Sequence, residues 1–273
     1  MTSPTNPPSR LRIGVVSAFP PGKNSLNEFG WHFVVNLAPK PEIDEVVLFA
    51  DETDAGQPAP VPKVQAIASW KFNAWSNAFR LALAIRKAKP DAVIFNLQFA
   101  TFGDKRLPGG LGLLAPAVSK AMGVPTAVVL HNLVENVNME DAGFATNKFI
   151  ARAMTEAGRL LTRCILRADY VALTIPRYVE MLQKSYKADN VLLAPHGAFE
   201  TIAEPTFSTP DGPRQVLAFG KFGTYKSVDV LVAAFRILLT RGYSDIEVVI
   251  AGTDSPNCPD RKRSEERRVG KEC

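Results

Sequence analysis

The feature that most constrains this chain is an alternation. Short apolar, β-branched runs recur at Leu11 to Ser17, Glu45 to Phe49, Lys63 to Ala68, Ala92 to Asn96, Thr126 to Leu130, Tyr170 to Thr174 and Val191 to Leu193, each set off from the next by a segment with helical spacing. The spacers include Trp75 to Ala88, Leu111 to Met122, Asn147 to Leu166 and Arg177 to Tyr186. Near-continuous apolar strands alternating with helices predict a parallel sheet covered on both faces and wound with right-handed crossovers. The expected fold class is α/β: a doubly wound, Rossmann-like parallel sheet.

After His196 the texture changes. Phe199 to Arg214 (FETIAEPTFSTPDGPR) carries three prolines, several hydroxyl residues and no periodicity, as an interdomain linker does. A second unit follows, with a strand at Gln215 to Phe219, an amphipathic helix at Ser227 to Thr240 and another strand at Ile246 to Ala251. The expected organisation is therefore a disordered start over 1–10, a Rossmann-like domain over 11–198, a linker over 199–214 and the start of a second Rossmann-like domain over 215–262. An open sheet of two strands cannot bury both faces, so the second domain is expected to be incomplete. Residues 263–273 (RSEERRVGKEC) have no apolar periodicity and resemble the translation of a sequencing-adapter oligonucleotide, which sets them apart from the folded chain.

Charge and cysteines narrow the function classes. With 32 basic and 27 acidic residues the net charge is +5, which suits an anionic ligand or a membrane surface and falls short of a nucleic-acid signature. Cys164, Cys258 and Cys273 form neither a disulfide framework nor a zinc spacing. No run of 18 or more apolar residues is present and the start, MTSPTNPPSR, is polar, so a cytoplasmic protein is expected.

The segment most informative about chemistry is VLAFGKFGTYKSVDVLVAAFRIL, Val216 to Leu238. A strand, a turn with two glycines and two lysines, and a helix follow one another. In a doubly wound sheet such a turn lies at a strand's carboxyl end, and the helix aims its N–H groups and positive dipole end at it. Lys221 and Lys226 would neutralise a diphosphate, and Gly220 and Gly223 would allow close backbone approach. The alternative is an ordinary βα turn with solvated lysines. A P-loop does not fit, because Tyr225 stands where its second glycine is needed.

Strand, G-K-x-x-x-x-K and VDVLVAAF together resemble the donor-binding start of the second domain in retaining glycosyltransferases of the GT-B fold, the group 1 or glycogen-synthase-like family. SAFPPGKNSLNEFGWHFVVNLA is similar to that family's first loop and helix, AVVLHNL to its strand ending in histidine, and ADYVALTIPRYVEMLQKSY with LLAPHGAF to the run before its linker. The resemblance spans roughly Arg12 to Thr253. It implies catalytic roles for His131, Lys221 and Lys226, with His131 facing the cleft and hydrogen-bonding the donor sugar. It gives Gly22, Gly220, Lys221, Gly223 and Lys226 to the donor diphosphate, and makes His196 and Gly197 organisers of the interdomain link. Lys221 stands where many members have arginine, and Asn132 replaces an aspartate often found after the histidine.

The activity implied is retaining transfer of a hexosyl group from a UDP- or GDP-linked sugar to a saccharide or lipid-linked acceptor. Neither a metal nor a cofactor is implied beyond the nucleotide-sugar co-substrate. The family's spaced glutamate pair does not occur here, so little turnover is expected of the chain as given. The alternatives are a nucleotide-sugar-binding module without catalysis and a nucleotide-sugar epimerase of the same architecture.

Two segments bear on the acceptor. SWKFNAWSNAFRLALAIRKAK, Ser69 to Lys89, mixes Trp70, Phe72, Trp75 and Phe79 with Lys71, Arg80, Arg86, Lys87 and Lys89. Either it is a crossover helix with aromatics in the core and lysines in solvent, or it is a peripheral contact with the anionic inner face of a membrane. LPGGLGLL, Leu107 to Leu114, reads as a loop facing the acceptor cleft.

Overall fold

A computed structural model of the chain describes residues 10–53, 56–58, 60–133, 148–198, 212–222 and 227–254. It forms two compact units, the first comprising residues 1–136 and 157–197 and the second residues 137–156 and 198–273.

The first unit is built on seven parallel strands: β1 (Leu11–Val16), β2 (Ile43–Glu52), β3 (Val64–Lys71), β4 (Ala92–Leu97), β5 (Thr126–Leu130), β6 (Tyr170–Leu173) and β7 (Val191–Leu193). Their order in the sheet is β3-β2-β1-β4-β5-β6-β7. The order reverses between β1 and β4, and at such a switch point the loops leaving the strands part and open a crevice at their carboxyl ends.

Helices cover both faces, as continuous apolar strands require. Ile13, Val15, Val46, Leu48 and Ala50 point to one face and pack beneath α1 (Asn27–Leu37) through its Val34. Val16, Val47, Phe49, Phe95 and Val128 point to the other, beneath α2 (Asn77–Ala88), the carboxyl-terminal half of α5 (Lys148–Ile165), which belongs to this unit from residue 157, and α6 (Pro176–Tyr186); these contribute Leu81, Ile85, Ile165 and Leu182. Pro176 begins α6 where its missing N–H costs nothing.

Every expected strand is present, and the structure differs from the expectations in the extent of some strands and in the segments between them. Between β2 and β3 no helix intervenes among the described residues; Pro58, Pro60 and Pro62 remove the donors a helix would need there. The Leu111 to Met122 segment is two helices, α3 (Arg106–Gly112) and α4 (Ala115–Ala121), so LPGGLGLL is helical and not a loop. Close packing outweighs the poor helix propensity of its glycines: a Cβ on Gly112 would lie 2.4 Å from the Phe102 ring, and one on Gly109 2.8 Å from the Gly103 carbonyl. Trp70 belongs to β3 and is fully buried, donating its indole N–H to the Phe49 carbonyl at 3.1 Å. Trp75 and Phe79 are exposed, so the aromatics of Ser69 to Lys89 divide between core and solvent.

The second unit contains β8 (Arg214–Phe222), α7 (Val228–Thr240) and β9 (Ile246–Asp254), with β8 and β9 parallel from Arg214↔Ile246 to Phe222↔Asp254. The strand runs three residues beyond the expected end at Phe219, so Gly220 and Lys221 lie in β8 and not in the turn. Gly220 adopts φ 137° there, and a Cβ on its partner Gly252 would collide with the Gly220 carbonyl, so both positions require glycine. No side chain of α7 is buried, and Leu217, Phe219, Val230 and Ile237 are exposed.

Among the described residues, no helix is long and apolar enough to cross a membrane.

Candidate functional site

The carboxyl ends of β1, β4 and β5 converge at the switch point, and each delivers a polar side chain. Ser17 follows β1, Asn96 is the penultimate residue of β4, and His131 follows β5 with its backbone N–H donating to the Leu97 carbonyl at 3.0 Å. Ser17 and Asn96 are buried and His131 is half-buried.

These side chains form one directed chain of hydrogen bonds. Ser17 Oγ donates to the Ala18 carbonyl at 2.8 Å and accepts from Asn96 Nδ2 at 2.9 Å. Because the serine proton is spent on a carbonyl, the Asn96 amide must donate to Ser17, which turns its Oδ1 toward His131. That oxygen lies 2.7 Å from His131 Nε2 and can only accept. Nε2 therefore carries the proton, and Nδ1 is the acceptor of the neutral ring.

Aromatic rings enclose the histidine. Phe29 of α1 meets His131 edge-on at 4.5 Å and His196 edge-on at 5.5 Å, and the two imidazoles stack at 5.1 Å. Burial, with the neighbouring His196 as a second cause, pulls the His131 pKa down to about 4. His131 is therefore neutral at physiological pH. His196 is exposed, in the segment after β7, where the Ala194 N–H donates to the Leu173 carbonyl at 2.8 Å. Gly197 follows it, with open space where a Cβ would stand.

α1 reaches this cluster because Gly30 lets it. A Cβ on Gly30 would lie 2.2 Å from Ser17 Oγ and 2.5 Å from the Ala18 carbonyl, so only glycine brings the helix onto the end of β1 and sets Phe29 beside His131. The loop between β1 and α1 is latched from β2. Buried Asp51 accepts the Phe19 N–H at 3.1 Å and Asn24 Nδ2 at 2.6 Å. Gly22 sits in that loop, where a Cβ would meet the Phe19 carbonyl at 2.8 Å and the Asp51 carboxylate at 3.0 Å.

Of the residues singled out by sequence, the structure brings His131 and His196 together. Gly22 lies in the latched loop, where its carbonyl accepts the Asn27 amide and the Asp51 carboxylate lies against its Cα. Gly220 and the Lys221 backbone occupy the carboxyl end of β8 in the second unit. Gly223 and Lys226 lie outside the described residues. Asn132 accepts the Phe99 N–H at 3.1 Å and so braces the loop after β4.

Sequence reasoning missed Ser17, Phe29, Asn96 and Asp51. A signal for two of them was present: Asn96 and Asp51 are polar residues closing otherwise apolar strands, and such a residue is buried only with a partner.

Comparison with known proteins bears on the fold. No family model and no curated protein matches the chain. Solved structures do. An apo lipopolysaccharide outer core galactosyltransferase, WaaB, is similar over 95% of this chain and 71% of its own, with TM-score 0.50 and 12% identity. A UGT transferase from Siraitia grosvenorii in complex with UDP has TM-score 0.51 at 11% identity, over 89% of this chain and 66% of its own. The Medicago truncatula UGT complexed with UDP-glucose has TM-score 0.50 at 11% identity, over 95% and 70%. The fold is the Rossmann-like α/β fold of the GT-B glycosyltransferases.

Proposed function

We propose that the protein is a glycosyltransferase that moves a hexosyl group from a UDP- or GDP-linked sugar to a saccharide or lipid-linked acceptor, with retention at the anomeric carbon. The observation that carries this reading is the fixed, neutral His131 at the switch point of the sheet, held by Asn96 and walled by Phe29 and His196. A neutral imidazole with a defined tautomer orients a sugar hydroxyl without placing positive charge beside a carbon that itself becomes cationic.

The remaining chemistry falls to the carboxyl end of β8 and the segment that leads from it into α7. As the bond from the anomeric carbon to the diphosphate breaks, its electron pair passes to the diphosphate. The acceptor oxygen bonds to that carbon, and the acceptor proton ends on the departing phosphate. Lys221, Lys226 and the N-terminus of α7 oppose the growing negative charge, with Gly220 and Gly223 allowing approach, and no metal or further cofactor takes part. Gly22 borders the diphosphate from the first loop. His196 and Gly197 set the path of the chain into the second unit.

Titration calorimetry with UDP-glucose and GDP-mannose tests the donor site directly. Saturable binding of one donor, weakened about tenfold or more by Lys221→Ala with Lys226→Ala, is expected from the loss of charge-assisted hydrogen bonds. Binding of neither donor, or binding indifferent to the two lysines, sinks the reading. Product analysis then separates a transferred sugar from an epimerised donor, and retention from inversion.

A further inference from the structure

The solvent face of α2 is the most unusual surface of the first unit. Phe79 and Leu83 stand four residues apart and so share one side of the helix, 66% and 51% exposed, and Trp75, in the turn two residues before the helix begins, is 63% exposed. Arg86 and Lys87 continue the same side three and four residues on, both exposed. The opposite side is an ordinary buried one, through Leu81, Ala82, Ile85 and Ala88. The helix is thus apolar on both its inner and its outer sides, with cations bordering the outer one.

The neighbouring α3 extends the surface. Asn73, two residues before Trp75, donates to the Asp104 carboxylate at 2.7 Å and accepts the Lys105 N–H at 3.0 Å. That clasp holds the entry of α3 beside the entry of α2, and Leu107 of α3 is 66% exposed. Between Ser69 and Pro90 there are five cations and no carboxylate. Arg80 alone among the five is paired, to Glu52, in the described ion pairs, and Arg86 and Lys87 carry the charge of the outer face.

We propose that this α2–α3 face docks on an anionic lipid bilayer, with Trp75, Phe79, Leu83 and Leu107 entering the headgroup boundary and Arg86 and Lys87 meeting lipid phosphates. Aromatic and branched side chains ringed by cations fit that boundary, where an indole ring prefers to sit and each basic residue near the surface contributes. A second copy of the chain is a poorer occupant, because two such faces pressed together would set Arg86 and Lys87 against their own counterparts. The proposal does not depend on the glycosyl-transfer reading.

Vesicle co-sedimentation of the full chain tests it, with phosphatidylcholine vesicles compared to vesicles also containing phosphatidylglycerol. Binding to the anionic vesicles alone, weakened by salt, is expected. Arg86→Glu with Lys87→Glu should lower the partition coefficient by at least about tenfold. Phe79→Ser with Leu83→Ser, also on the exposed side, should lower it without changing its salt dependence. Absence of binding to anionic vesicles at low salt, or binding indifferent to both double variants, overturns the proposal. So does concentration-dependent dimerisation in sedimentation velocity that Phe79→Ser abolishes, since the face would then belong to a second copy.

Discussion

Asn96 Oδ1 lies 2.7 Å from His131 Nε2, and the same amide donates at 2.9 Å to Ser17, whose proton is already committed to the Ala18 carbonyl. A serine on one strand thereby sets the tautomer of a histidine two strands away. The device works because Asn96, nearly fully buried, has no solvent alternative for either end of its amide.

Replacing Asn96 by Asp tests this directly. A carboxylate in the same place favours the imidazolium, so the His131 pKa should rise well above its present value of about 4. Imidazole nitrogen chemical shifts followed by NMR through a pH titration report both the midpoint and the protonated nitrogen. Asn96→Asp should also weaken binding of the donor sugar, and a titration unchanged from the parent would remove Asn96 from the role of positioning residue.

His131 further predicts how stability depends on acid. Its folded pKa, about 4, lies below the ordinary 6.5, so the folded chain resists a proton that the unfolded chain accepts. The stability from keeping the ring neutral is complete above pH 6.5, declines as pH falls from 6.5 to 4, and changes no further below that. The decline attributable to this ring is on the order of 1–2 kcal/mol, allowing for its partial exposure. Urea midpoints of the parent and of His131→Phe across this window check it, because the variant should lack that component. His196→Phe keeps a ring in the stack and removes its charge, so it should raise the His131 pKa only modestly, burial being the larger cause.

Gly30→Ala should be among the more damaging single-methyl additions in the first unit. The new Cβ would overlap Ser17 Oγ at 2.2 Å and the Ala18 carbonyl at 2.5 Å, and the carbonyl belongs to backbone that cannot swing aside. A cost of about 1–3 kcal/mol is expected from overpacking, against the small gain alanine usually brings inside a helix. Thermal denaturation measures the cost. Phe29 should move with the helix, so the His131 titration should shift in the same variant.

How much of this was legible in the sequence follows from which physical signals are local. Strand positions were legible because a parallel sheet buried on both faces writes itself as uninterrupted runs such as VVLF and AVIFN. The helical character of LPGGLGLL was not, because its glycines serve contacts with Phe102 and Gly103 that no local propensity encodes. His131 was visible as a histidine ending a strand. Its partners were not, since Ser17 and Asn96 stand 79 residues apart and meet only once β1 and β4 become neighbours. The extra length of β8 escaped for a similar reason: Gly220 ends a strand by propensity, yet here it pairs with Gly252 across the ladder.

Asp51 offers the last test, of whether the first loop is held from outside itself. Its two oxygens serve different ends of that loop, Oδ1 the Phe19 N–H and Oδ2 the Asn24 amide, and it is 2% exposed. Asp51→Ala leaves a buried N–H without its acceptor and should cost about 1–3 kcal/mol. Asp51→Asn keeps an acceptor for Phe19 but turns a donor toward the Asn24 amide, so a smaller loss is expected, recovered in part by Asn24→Asp. Amide hydrogen exchange at Phe19 separates the cases. It should quicken strongly in the alanine variant and little in the asparagine one, because the first loses the acceptor itself and the second only the Asn24 latch. Equal exchange in all three proteins would mean that the Gly22-to-Phe19 hydrogen bond at 3.0 Å holds the loop unaided.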